Sequence, residues 1–160
     1  MATGLVLVDN TVLTNYALIA RPDLVTDLRG VEFATTPEVM AEYQAGVTGR
    51  GMPVAVWDSL PQLTLNPAEL RFADRLLPRL GRGERSCLAV AVHRQGAIAC
   101  DDAVARREAQ RLGLIVTGTI GILVVNIRQT RLTIADGNAI LAGLIALGYR
   151  SPLADLSDLI

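Results

Sequence analysis

The chain has 160 residues, 51% apolar and 19% charged, with a formal net charge of −1. That is one domain's worth of core-forming sequence, long enough to fold without disulfides or structural metal, and it is not a disordered composition. All 15 basic residues are arginine, which excludes a P-loop, a Schiff-base enzyme and a lysine-dependent phospho-aspartate receiver. Cys87 and Cys100 form no CxxC and His93 is the single histidine, too few soft ligands for a zinc finger or a His-rich catalytic zinc.

Met1 to Asp9 lacks a basic start and meets a carboxylate too early for a secretory leader. The longest apolar run, Ala139 to Tyr149, is eleven residues, against about 20 for a spanning helix. The expectation is a soluble, cytoplasmic chain with reduced thiols.

Leu5-Val-Leu-Val8 is a continuous apolar run that suits a strand buried on both faces. A helix is expected over Thr11–Ala20, and Glu32–Thr35 reads as a second strand. Thr36-Pro37-Glu38 supplies a cap, a first-turn proline and a first-turn acid for a helix that runs up to Gly46. The glycine-rich stretch 46–53 is expected to be a mobile loop. Val54-Ala-Val-Trp57-Asp58 fits a strand or a helical turn equally well, and Leu63-Thr-Leu65 reads as a short strand. Pro67 opens a helix to about Leu77, and Gly81-Arg-Gly83 introduces another over Glu84–His93.

The last third alternates clearly: a strand at Ala97–Cys100, a helix over Ala103–Leu112, a strand at Leu114–Val116 and a helix from about Gly118 to Arg128. Two helices close the chain, near Ile134–Leu147 and from Ser151-Pro152 onward. Alternating strand and helix predicts an open, mostly parallel α/β sheet without repeats or linkers.

In such sheets ligands bind beyond the carboxyl ends of the strands. Asp9 stands at one such end and the Asp101-Asp102 pair at another. Glu42 borders the apolar stripe of its helix, and Glu84 lies four and seven residues before Leu88 and Ala91. Taken singly, each has an ordinary reading: either aspartate of the doublet as a helix cap, Glu84 as a first-turn acid beside the helix dipole, Glu42 as a solvated acid. His93 and both cysteines read as structural. Taken together, crowded carboxylates repel unless a cation lies between them, and all-oxygen ligation suits Mg²⁺ or Mn²⁺.

The stretch Val6-Leu-Val-Asp9-Asn-Thr11 resembles the opening of the PIN-domain family, with an aspartate closing the first strand and a hydroxyl residue two positions on. Thr36-Pro-Glu-Val39-Met-Ala-Glu42 resembles its second motif. Gly81-Arg-Gly-Glu84 resembles the third, in a branch with glutamate where the toxin-like branch has aspartate. Ile98-Ala-Cys-Asp101-Asp102 resembles the fourth motif, and Leu112–Leu123 resembles the stretch after it. The likeness is strongest over residues 4–128 of a single 160-residue domain. It departs at Cys100, where the family has threonine.

The resemblance implies a three-layer α/β/α fold and a Mg²⁺- or Mn²⁺-dependent nuclease acting on RNA. It implies Asp9, Glu42, Glu84 and Asp102 as the metal-holding catalytic acids, Asp101 as second choice for the fourth, and Thr11 in support. Many relatives are toxins held by a small antitoxin, and a homodimer is the implied assembly. Without those four acids, 15 arginines face 12 carboxylates, a surplus of three positive charges, and Arg82, Arg85 and Arg106 stand near enough in sequence to contact phosphate. The rival from another class is a catalytically inert PIN-like module acting through protein or nucleic-acid contacts. A haloacid-dehalogenase-type phosphatase lacks its second aspartate at Thr11 and any lysine, and a dinucleotide site lacks its third glycine at Ser86.

Overall fold

The computed structural model describes residues 4–51 and 54–160; Met1–Thr3, where the absence of a leader was expected, and Met52-Pro53 of the expected loop lie outside the described residues. Four parallel strands form one sheet in the order β2-β1-β3-β4, with β1 at Gly4–Val8, β2 at Val31–Ala34, β3 at Ala97–Ala99 and β4 at Val116–Thr117. Leu7 pairs with Ala34 on one side and Ile98 on the other. The inner strands are buried on both faces, which is why β1 reads as an unbroken apolar run.

Eight α-helices among the described residues complete a three-layer α/β/α architecture: α1 (Asn10–Leu18), α2 (Asp23–Thr26), α3 (Pro37–Arg50), α4 (Pro67–Asp74), α5 (Arg82–His93), α6 (Ala103–Arg111), α7 (Thr119–Arg128) and α8 (Ile134–Ala146). Helix α5 packs on β1 and β3 and against α3 and α4, while α7 packs against α1, α2 and α8. The order places a topological switch between β1 and β3, where the chain leaves β1 in one direction for β2 and returns on its other side as β3. Ligands gather at that point in open α/β sheets. No helix among the described residues is long and apolar enough to cross a membrane.

Four expectations need correction. Helix α3 does not stop at Gly46 but runs to Arg50, closed by Gly51 at φ +65°. An internal glycine costs a helix about 1 kcal/mol relative to alanine, and the Thr36 cap, Pro37 and the buried Val39, Met40 and Tyr43 outweigh it. Residues 54–65 form neither strand nor helix. They bury Trp57, Leu60 and Leu65 one at a time and touch the sheet through a single Thr35–Gln62 bridge, next to Pro61, which has no N–H for a ladder. Strand β4 sits later than Leu114–Val116. Beyond Pro152 only a 3-10 turn forms at Ser157–Leu159; the segment is pinned by Leu156, which is fully buried and whose N–H donates to Asn138 Oδ1 (2.8 Å).

Candidate active site

Asp9 follows the last residue of β1 and caps α1. Its Oδ2 accepts from the Thr11 N–H (3.4 Å) and the Thr11 hydroxyl (3.1 Å). Its own N–H donates to Ala99 O (2.9 Å), so the β1–β3 ladder runs right up to the carboxylate. The residue is 2% exposed, and Oδ1 is buried with no hydrogen-bond partner. Burial pushes the Asp9 carboxyl up to about 6 against the opposing N–H groups of Asn10 and Thr11, and the charge of Glu42 adds to the rise.

Glu42 and Glu84 are brought together by the packing of α3 on α5. Thr36 caps α3 through Val39 N–H (3.2 Å), and its hydroxyl lies 2.6 Å from that of Ser86 on α5. This junction sets the two helix starts side by side. Glu42 Oε1 accepts from the Gly83 N–H (2.8 Å), and Glu84 Oε2 accepts from the Gly81 N–H (2.8 Å). The glycine at 83 is a steric requirement: a Cβ there would fall 2.6 Å from Glu42 Oε2. Burial pushes Glu84 up to about 7 despite the Gly81 N–H, and the charges of Asp9, Asp102 and Glu42 all contribute. Four acids from four places in the chain therefore act on one another across the carboxyl end of the sheet.

The two aspartates after β3, either of which reads from sequence as a helix cap, take different roles. Asp102 Oδ1 caps α6 through Ala105 N–H (2.9 Å), and the residue's charge acts on Glu84. Asp101 turns toward α1 and α7. Its Oδ1 accepts from Thr119 N–H (3.0 Å), and its Oδ2 accepts from the Thr119 hydroxyl (2.6 Å) and Asn15 Nδ2 (3.1 Å). The Asp101 N–H in turn donates to the Thr11 hydroxyl (3.1 Å). Thr11 thus bridges Asp9 to the β3 end. The roles of Asn15 and Thr119 were not anticipated, although Thr11 and Asn15 stand four residues apart, the spacing of one helix face.

Among the described residues, no three acids, histidines or cysteines already converge as a metal-ligand set. Glu42, Glu84 and Asp102 each rest one oxygen on a backbone N–H and leave the other without a donor among the described residues. The orphaned Asp9 Oδ1, the upward shifts of Asp9 and Glu84 and the all-oxygen donor set fit a hard divalent cation.

The arginines near the site are unequal. Arg82 is exposed at the start of α5 and lines a shallow cleft with Glu42. Arg85 is half-buried, with a buried Nε that lacks a partner. Arg106 is partly committed, since its Nη1 donates to Cys100 O (2.8 Å) and Thr117 O (3.0 Å), tying β3 to β4. Cys87 and Cys100 are buried free thiols, and His93 contacts its own helix at Ala89 O (2.8 Å) and the edge of Phe72.

A family model described as a PIN domain matches residues 5–159. The chain belongs to the PIN-domain family. No curated protein matches it. Membership means a nuclease-type fold, in a family whose nucleases generally use divalent metal ions.

Proposed function

We propose that this PIN domain is a metal-dependent endoribonuclease that hydrolyses RNA phosphodiester bonds, with Mg²⁺ or Mn²⁺ held by Asp9, Glu42, Glu84 and Asp102. The observation that carries the reading is the buried Asp9 carboxylate, with an unpartnered oxygen, coupled to Glu42 and Glu84, the latter in turn coupled to Asp102. When bound, the ion supplies a water of lowered pKa and charge stabilisation at the leaving oxygen.

The chain's own groups supply orientation. Thr11 fixes Asp9 Oδ2, Gly83 N–H fixes Glu42, Gly81 N–H fixes Glu84 and Ala105 N–H fixes Asp102. Each carboxylate is thereby held at one oxygen with the other available. Asp101 ranks second as a ligand, because both its oxygens already accept hydrogen bonds. Arg82, Arg85 and Arg106 would meet substrate phosphates, Arg106 through the nitrogens not committed to carbonyls. Because many PIN-like proteins are toxins, the proposal extends to a cytoplasmic toxin restrained by a small antitoxin, and to a homodimer.

The test is incubation of partner-free protein with a mixed RNA panel in Mn²⁺. Cleavage is expected, stopped by EDTA and abolished in Asp9→Asn and Asp102→Asn. Intact RNA across the panel, together with no Mn²⁺ binding by calorimetry, would overturn the reading in favour of an inert PIN module acting through contacts alone.

A further inference from the structure

Two clefts open on either side of the first turns of α1, and Asn10 and Thr14 line both. One, of about 440 Å³, is lined by Asp101 and Asp102 and by Tyr149 and Arg150 from the segment after α8. The other, of about 490 Å³, is lined by Glu42 and by Arg50, the last residue of α3. Thr14 donates to Asn10 Oδ1 (3.4 Å), so the two residues make one polar ridge shared by both clefts. Asp9 immediately precedes that ridge, Asp102 lines one side and Glu42 the other. A strand laid over that ridge would occupy both clefts as one groove, bordered by Asp102 on one side and Glu42 on the other.

Arg150 lines the first cleft and Arg50 the second. Both are exposed, and neither side chain makes a hydrogen bond or ion pair with any described residue. Arg21, Arg94 and Arg111 are paired with Asp23, Glu69 and Glu108, and exposed arginines without such a partner, such as Arg71, Arg75 and Arg107, line neither cleft. An acid centre flanked by two free guanidinium groups, along an open groove with a polar floor, matches a ligand that repeats its negative charge at intervals. One such charge belongs at the centre, where a cation would offset the carboxylates, and one on each side. Guanidinium groups fit backbone phosphate; of the aromatic side chains, Tyr149 lines one cleft and the buried Tyr43 the other.

We propose that Arg50 and Arg150 are phosphate clamps that hold a single strand of RNA across the acid cluster, one clamp on each side of the scissile bond. The identity of the strand as RNA rests on the ribonuclease reading; the position of the clamps rests on the groove. Phosphate contacts position a strand without reading its sequence, so the clamps set register and affinity and leave base preference to other groups.

The experiment measures binding of a fluorescein-labelled oligouridylate to Asp9→Asn protein in Mg²⁺, across a salt series, so that the strand is held and not cut. For a single strand, each phosphate neutralised contributes about −0.7 to the slope of log K against log salt. Arg50→Gln and Arg150→Gln are each expected to flatten the slope by about 0.7, and the double variant by about 1.4. Each single variant also weakens binding several-fold near physiological salt. Arg29→Gln, an exposed site just before β2 at the opposite end of the sheet, leaves the slope unchanged. Retained binding with slopes unaltered in the Arg50 and Arg150 variants overturns the clamps and leaves the nuclease reading standing. Absence of binding at every salt overturns the clamps, and only intact RNA across the mixed panel with no Mn²⁺ binding overturns the nuclease reading as well.

Discussion

Replacing Asp9 by asparagine is expected to raise the melting temperature of the metal-free protein at pH 8 while destroying its activity. The carboxyl is pushed from 3.8 to about 6 by burial, so the folded chain holds this proton more tightly than the unfolded chain does. Below pH 4 both states are protonated and the group is neutral in its effect. As pH rises through 4 to 6 the unfolded state ionises first, and stability falls until the folded carboxyl has also ionised. Two units at about 1.4 kcal/mol each give roughly 3 kcal/mol of destabilisation at pH 8. Asparagine carries no such cost and can still accept from Thr11. Its amide must, however, take the place of the unpartnered Oδ1, and a buried amide without an acceptor would return about 1–3 kcal/mol. The free oxygens of Glu42 and Glu84 are acceptors within the same cluster, so a net gain of about 1–3 kcal/mol is expected, or roughly 3–9 °C for a domain of this size. Scanning calorimetry in EDTA at pH 5 and pH 8 checks it: the variant's advantage over the wild type should be smaller at pH 5 than at pH 8 by about half of the roughly 3 kcal/mol. Mg²⁺ should then stabilise the wild type, through mass action on the folded state, more than the variant. A variant melting at or below the wild type at both pH values would refute the claim that the Asp9 charge is uncompensated.

Gly83→Ala is expected to displace Glu42, since the new Cβ would lie 2.6 Å from Oε2, and to weaken Mn²⁺ binding measurably by calorimetry with only a small change in melting temperature. Asp102→Asn should abolish RNA cleavage at nearly unchanged stability, because asparagine caps a helix as well as aspartate does. Asp101→Ala should instead lower the melting temperature, by about 1–3 kcal/mol of lost acceptors for Thr119 and Asn15. Finding the reverse pattern in parallel cleavage and melting assays would exchange the roles of the two aspartates.

The parts of the fold legible in the sequence are those fixed by local chemistry. A strand buried on both faces needs an unbroken apolar run, and Leu5–Val8 and Ala97–Ala99 supply one. A helix start needs a cap, and Thr36-Pro37 and Asn66-Pro67 each supply one, the latter with a full capping box through Glu69. The misread segments are those decided by distant partners. Residues 54–65 have strand-like composition, but the edge of β2 accepts them only at Gln62. Leu156 has helical spacing from its neighbours, yet what holds it is Asn138, eighteen residues earlier. In the site, the positions of Asp9 and Asp102 could be read from strand ends. The hydrogen bond from Gly83 to Glu42 could not, because it depends on how α3 lies against α5. The link from Asn15 to Asp101 spans 86 residues and has no local trace beyond a polar pair on one helix face.

The acids share one device that lets the fold gather them at the end of the sheet. Asp9 takes a backbone N–H from the first turn of α1, Glu42 and Glu84 take one each from the start of α5, and Asp102 takes one from the first turn of α6. Each of these donors is among the groups a helix leaves unpaired at its amino end, where the helix dipole also favours negative charge. The starts of α1, α5 and α6 therefore converge on the carboxyl end of the sheet and hold four carboxylates in mutual range. At Asp9 and Glu84 that support falls short, because burial and the neighbouring charges still push both carboxyls upward. The shortfall is what leaves room for a cation: fully satisfied carboxylates would have no reason to bind one, and wholly unsupported ones would neutralise by taking up protons.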